Sequence, residues 1–159
     1  MVASVRKAAP ADGAVILALV DALADYEKLS PPDAAAKERL LADLFGERKR
    51  IECFLAEADN RAVGYAFVLE TYSSFLALPT LYLEDLFVLP DFRSKGAGKA
   101  LFRAMVAEAY RRGCGRMEWT VLDWNALAID FYRRQGAKHM KEWHLWRLVR
   151  DDMEKILAA

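Results

Sequence analysis

The stretch Leu83-Glu84-Asp85-Leu86-Phe87-Val88-Leu89-Pro90-Asp91-Phe92-Arg93-Ser94-Lys95-Gly96-Ala97-Gly98 constrains this chain more than any other. An apolar, β-rich run stops at Pro90. A short basic turn carrying Gly96 and Gly98 follows, and an amphipathic run opens directly behind it. Strand, turn and helix in that order build an anion site, because the first amides of a helix lack internal partners and point outward. Glycine there lets the backbone approach a phosphate closely. Two familiar phosphate loops fail residue by residue. The triphosphatase loop needs Lys-Ser or Lys-Thr after its last glycine, but Gly98 is followed by Lys99-Ala100, and Ala97 alone separates the glycines. The dinucleotide fingerprint needs a third glycine where Leu101 stands. Taken alone, the turn leaves open that its glycines serve geometry only.

At 159 residues the chain suits a single domain, 1–159, with one core. Lys plus Arg equals Asp plus Glu, 23 against 23, so the basic excess of a nucleic-acid binder is missing. Arg93, Lys95 and Lys99 read instead as one small anion site. No run approaches the ~18 consecutive apolar residues of a membrane span, and the N-terminal segment lacks the apolar core of a signal peptide. Cys53 and Cys114 have neither metal-ligand nor CxxC spacing, which reads as free thiols in a reducing, cytoplasmic setting. His139 and His144 lack the spacing of a helical zinc pair, so no metal is expected.

Hydrophobic periodicity lays out the elements. A weak alternation over 2–7 predicts a first strand. Asp12 is placed to cap a helix carrying Val15, Ile16, Leu19, Val20 and Leu23, ended by Ser30-Pro31-Pro32. Asp33 caps a second helix with Leu40, Leu41, Leu44 and Phe45 inward, stopped at Gly46. Strands are predicted over 51–58 and 62–72 around an Asp59-Asn60 turn, and over 80–89. A helix follows over 96–112, with Leu101, Phe102, Met105, Val106 and Ala109 as its stripe. Beyond it come a strand over 116–122, a short helix over 125–135 capped by Gly136, one or two strands over 137–149 and a final helix over 151–157. Hairpin spacing mixed with helical crossovers predicts an α/β fold with a mixed sheet.

Arg93-Ser94-Lys95-Gly96-Ala97-Gly98 fits the Arg/Gln-x-x-Gly-x-Gly/Ala signature of the GNAT superfamily of acetyl-CoA-dependent N-acetyltransferases. Leu81-Tyr82-Leu83-Glu84-Asp85-Leu86-Phe87-Val88 precedes it, and Trp124-Asn125-Ala126-Leu127-Ala128-Ile129-Asp130-Phe131-Tyr132-Arg133-Arg134-Gln135-Gly136-Ala137 follows. With Tyr26-Glu27 and Trp146-Arg147-Leu148, these blocks resemble the spermidine/spermine (diamine) acetyltransferase branch over nearly the whole chain. The resemblance implies a GNAT fold, a central mixed, splayed sheet flanked by helices. It implies acetyl-CoA as co-substrate, with its pantetheine arm in a split between the strand ending near Leu89 and the strand over 116–122. Main-chain groups near Phe87 and Val88 would pair with the acetyl group and that arm. Arg93, Ser94, Lys95, Gly96, Ala97, Gly98 and Lys99 would take the pyrophosphate. Ser94 stands where the diamine branch usually has glycine.

On a helix opening at Asn125, positions 125, 128, 129 and 132 share one face, so Asn125 and Tyr132 can both look toward the cofactor. Aminolysis of a thioester expels a thiolate, which a phenol can protonate. Tyr132 therefore reads as general acid; a core aromatic with a satisfied hydroxyl is the alternative. The acceptor amine arrives as ammonium, titrating near ~10, and must lose a proton before attack. Glu84, at the position where the diamine branch places a carboxylate, reads as base or relay, with an arginine ion pair as the alternative. Strand alternation puts Asp85 on the opposite face in a supporting part. Tyr26 and Glu27 match a region lining the amine site in relatives, though Glu27 could equally be a solvated helix end. Lys28-Leu29-Ser30-Pro31-Pro32 replaces the acidic continuation suited to a long polycation, which leaves thialysine-like or lysine-like amino acids open beside polyamines. The expected activity is acetyl transfer to a primary amine of a small molecule by direct attack in a ternary complex. Acetylation of a protein or peptide amine, or a non-catalytic acyl-CoA sensor, are the alternatives. Trp143 and Trp146, in the terminal strands where relatives dimerise, suggest a homodimer.

Overall fold

The computed structural model describes residues 3–159, so Val2 of the expected first strand lies outside the described residues. The chain divides into two compact units, one reaching Thr120 and the other Val121–Ala159.

In the first unit, β1 (Ser4–Lys7), β2 (Glu52–Ala58), β3 (Arg61–Ser73), β4 (Leu78–Val88) and β5 (Arg116–Glu118) form one sheet in that order. Asp59 and Asn60 both adopt left-handed φ, 51° and 60°, which gives the two-residue turn whose twist matches a β-hairpin. The first four strands are antiparallel in sequence, while β4 and β5 run parallel, so the sheet is mixed as expected. Helix α1 (Gly13–Glu27) and helix α2 (Ala34–Phe45) cover one face, where Ile16, Leu19 and Leu44 pack with Cys53, Leu55, Tyr65, Phe67 and Phe87. Helix α3 (Ala97–Arg111) covers the other, setting Leu101, Met105 and Ala109 against Ala56, Ala66, Val68, Leu81 and Leu83.

Several local expectations need correction. Asp12 does not cap α1 with its side chain; its carboxylate accepts from the Ala9 N–H at 2.7 Å and pairs with Arg6 at 2.8 Å. Helix α1 stops at Glu27, before the prolines, because Lys28 turns left-handed at φ 59°. Asp33 does cap α2, accepting from the Ala36 N–H at 2.8 Å. Val106, expected inside, is exposed on α3, at the margin of a stripe whose buried members are Leu101, Phe102, Met105 and Ala109. The strand expected over 116–122 holds only Arg116–Glu118, since the ladder with β4 reaches no further than the Tyr82–Glu118 pair.

The second unit carries α4 (Ala126–Arg134) and α5 (Arg150–Ala158). Asn125 caps α4, its Oδ1 accepting from the Ala128 N–H at 3.2 Å. Residues 137–149, expected as strands, form none. Trp143, Leu145 and Trp146 are exposed there. Strand preference reflects packing on a half-buried pleated surface, and an aromatic-rich segment without one gains no ladder.

Candidate active site

The site grows from β4. Its ladder with β3 pairs Val68 with Leu83 and then Phe67 with Asp85, so Glu84 is an extra residue, a β-bulge. A bulge breaks the two-residue alternation of the pleat. Leu81 and Leu83 face α3, but Asp85 and Phe87 turn to the side of α1 and α2. The bulge, and not simple alternation from Leu83, therefore sets the face that Asp85 occupies. The re-aimed Asp85 accepts a hydrogen bond from the Tyr65 hydroxyl at 2.8 Å.

Three carboxylates lie in this region. Glu84 is exposed, while Glu27, the last residue of α1, and Asp85 are partly buried. Burial pushes Asp85 up to about 6; the Tyr65 hydroxyl opposes that shift, and the charges of Glu84 and Glu27 add to it. Burial also raises Glu27. Among the described residues, no Lys or Arg forms an ion pair with Glu27, Glu84 or Asp85. Beside them, the Tyr26 ring lies 6.1 Å from that of Phe87. The Arg93 guanidinium sits 4.1 Å above Tyr26 and 5.4 Å from Phe87. Tyr26, Glu27, Glu84, Asp85, Phe87 and Arg93 are thus drawn into one neighbourhood of the first unit.

The far end of β4 has the character of an anion site. Beyond Tyr82 the strand has no ladder partner on the β5 side among the described residues, which is the splay of the sheet. Leu89 donates its N–H to Val63 on the β3 side at 2.9 Å. Alternation therefore turns the N–H and C=O of Val88 toward the open side. The Val88 carbonyl accepts from Arg93 Nε at 2.9 Å, so the Arg93 side chain ties down the strand end rather than projecting freely. A turn at Pro90–Phe92 follows, then Ser94 at φ 61° and Gly96 at φ 90°, and α3 opens at Ala97. Left-handed residues ahead of a helix aim successive N–H groups into one concavity suited to a phosphate. A Cβ on Gly96 would meet nothing within 4 Å, so glycine is favoured there by its φ and not by crowding. Ser94 adopts the left-handed turn despite its side chain. Lys95 and Lys99 are exposed around this turn, and Lys95 Nζ lies 5.5 Å from the Phe92 ring. These features fit a phosphate-bearing ligand.

In the second unit, Asn125 and Tyr132 stand at the start and in the last turns of α4. Tyr132 packs edge-on against Phe131 at 5.3 Å. Burial pushes its phenol up to about 12, which keeps it protonated at neutral pH. Sequence reasoning gave Tyr65 no role. The buried tyrosine among Val63, Phe67 and Val68 was the available signal, since a buried hydroxyl requires a partner.

A mixed sheet splayed beside β4, with a glycine turn leading into a helix, frames a candidate site for a phosphate-bearing ligand. The model of the acetyltransferase (GNAT) family matches residues 17–137, and the chain belongs to that family. A thialysine N-epsilon-acetyltransferase of Bos taurus is 34% identical over 163 residues, covering 96% of this chain and 95% of its own. An L-ornithine N5-acetyltransferase of Arabidopsis thaliana is 41% identical over 133 residues, covering 82% of this chain and 58% of its own. Among solved structures, an integron cassette protein from the mobile metagenome of V. cholerae superposes with a TM-score of 0.82 at 22% identity, over 100% of this chain and 99% of its own. The chain is an N-acetyltransferase.

Proposed function

We propose that this enzyme transfers acetyl from acetyl-CoA to a primary amine of a small molecule, a thialysine-, lysine- or ornithine-like amino acid or a diamine. The observation that carries the reading is the pairing of opposite characters on β4: a phosphate-seeking turn follows one end, and carboxylates without a paired cation lie before it. The relatives named for thialysine and ornithine acetylation support the same acceptor class. The family match across 17–137 includes residues of both units, which supports one catalytic domain over 1–159.

Bound acetyl-CoA supplies the thioester carbonyl that the amine attacks. The amides from Arg93 to Gly98, with Lys95 and Lys99, hold its pyrophosphate, and the Val88 N–H aligns its acyl arm, while the main chain of Phe87 pairs with Tyr65 on β3 and acts only by holding that strand end in place. Asn125 contributes from the head of α4. Tyr26, Glu27 and Asp85 receive the cationic acceptor. Glu84, exposed on the bulge, takes a proton from the ammonium, directly or through water, and so frees the nitrogen lone pair. Tyr132 holds a proton at its Oη for the departing sulfur. The enzyme works in the cytoplasm, in keeping with its two free cysteines, and as a homodimer through the exposed Trp143 and Trp146.

Steady-state kinetics of Tyr132→Phe and Glu84→Gln test these roles. Tyr132→Phe is expected to lower kcat by about 10²-fold or more, the scale of general-acid catalysis, with acetyl-CoA affinity unchanged. Glu84→Gln is expected to lower kcat/KM for the amine most strongly near neutral pH. Unchanged turnover in either variant removes that residue from the mechanism.

A further inference from the structure

We propose that Tyr65 is a positioning residue for amine capture: its buried hydroxyl fixes the Asp85 carboxylate on the α1 face of β4, where Asp85 meets the cationic part of the acceptor. The inference rests on the small-amine reading above and assigns a function to a side chain outside the expected site.

The argument begins with the hydroxyl. Tyr65 is fully buried, and its ring packs edge-on against Phe67 at 4.8 Å and near Phe87 at 6.4 Å. A phenylalanine would fill that space equally well, so packing alone gives no use for the oxygen. Burying a phenol costs free energy unless it is hydrogen-bonded, and Asp85 Oδ2 at 2.8 Å is its acceptor. The bulge at Glu84 is what brings Asp85 to this face; with regular alternation Asp85 would point with Leu83 toward α3.

With Oδ2 held by Tyr65, Oδ1 has no hydrogen-bond partner among the described residues, and the carboxyl remains partly exposed. A cationic amine matches the Asp85 carboxylate in charge and in hydrogen-bonding capacity, since an ammonium is a donor only. Other titratable groups lie near Asp85 on the neighbouring elements. Glu27 at the end of α1 and Glu84 on β4 both repel its charge, and the buried Cys53 thiol on β2 is itself raised, chiefly by burial, to about 12. Arg93 engages the rings of Tyr26 and Phe87 instead of Asp85. The Tyr65 hydroxyl is thus the group in this set that favours ionised Asp85. An acceptor amine bound beside it would add to that preference.

Tyr65→Phe isolates the hydroxyl and keeps the ring. Amine kinetics from pH 5.5 to 9, with acetyl-CoA affinity measured by calorimetry, read its effect. The expected result is unchanged acetyl-CoA affinity and an acid limb of kcat/KM for the amine moved up by about one pH unit. The amine KM rises several-fold at pH 6.5 and converges with the parent value near pH 9. In an Asp85→Asn background, where that acid limb is abolished, Tyr65→Phe is expected to change nothing further. Superimposable profiles, or an equal effect of Tyr65→Phe with and without Asp85, overturn the proposal. If the parent enzyme turns over no amine, the acceptor reading fails instead. Direct titration of the Asp85 carboxyl by carbon NMR in the parent and Tyr65→Phe proteins then decides whether the hydroxyl controls its charge, and identical titrations overturn that control.

Discussion

Asp85→Asn offers a quantitative test of the carboxylate environment, independent of catalysis. Asp85 titrates at about 6 in the fold against an ordinary value of 3.8. A raised carboxyl pKa means the folded chain binds the proton more tightly than the unfolded chain. The resulting stabilisation is full below the unfolded value and is lost as pH rises through the folded one. Between about pH 4 and 6 the parent protein therefore loses stability on account of this residue, and above that range the loss is constant. At 1.36 kcal/mol per pKa unit the full penalty is about 3 kcal/mol at pH 8. Asparagine carries no charge, and its Oδ1 can still accept from the Tyr65 hydroxyl. Asp85→Asn is accordingly expected to be more stable than the parent at pH 8 by up to about 3 kcal/mol, or about 6–12 °C in Tm for a chain of this size. At pH 4.5 roughly two thirds of that advantage is expected to vanish. Thermal unfolding followed by circular dichroism at both pH values measures it. An advantage that does not change with pH, or a variant less stable at pH 8, refutes the reasoning.

Two further substitutions probe the frame around the site. Gly64→Ala would place a Cβ 2.6 Å from the Phe87 carbonyl oxygen and 2.9 Å from Val88 Cγ2, so β3 and β4 must part at the strand end proposed to align the acyl arm. A loss of about 1–3 kcal/mol in chemical unfolding is expected, together with weaker acetyl-CoA binding, and parent-like values for both would contradict the close approach. Ser94→Gly relieves a left-handed φ of 61° in the anion turn. A gain of up to about 1 kcal/mol is expected, since the left-handed penalty exceeds the entropy that glycine adds to the unfolded chain, and a clear loss of stability would show that the Ser94 side chain makes a contribution of its own.

Much of the first unit was legible because its signals are local. Asp33 and its cap, the Asp59-Asn60 hairpin and the Pro90-to-Gly98 turn each carry their instructions within a few residues. The α3 stripe was legible except at Val106, where a margin position goes to solvent. Other features depend on distant partners. Nothing near Glu84 marks it as a bulge; the extra residue exists only in register with β3, and it decides that Asp85 meets Tyr65, a residue 20 positions earlier. For the same reason alternation along β4 could not show that Asp85 joins Tyr65 beneath α1. Residues 137–149 have the aromatic content of strands but no ladder to join, which composition cannot reveal.

The most direct measurement of the central claim follows free-thiol release from acetyl-CoA by the purified protein with spermidine, spermine, putrescine, thialysine, lysine, ornithine and a short lysine peptide. The account predicts turnover selective for one class of small amine, with the peptide poor. Acetyl-CoA binding without turnover of any small amine, or preference for the peptide, would contradict it.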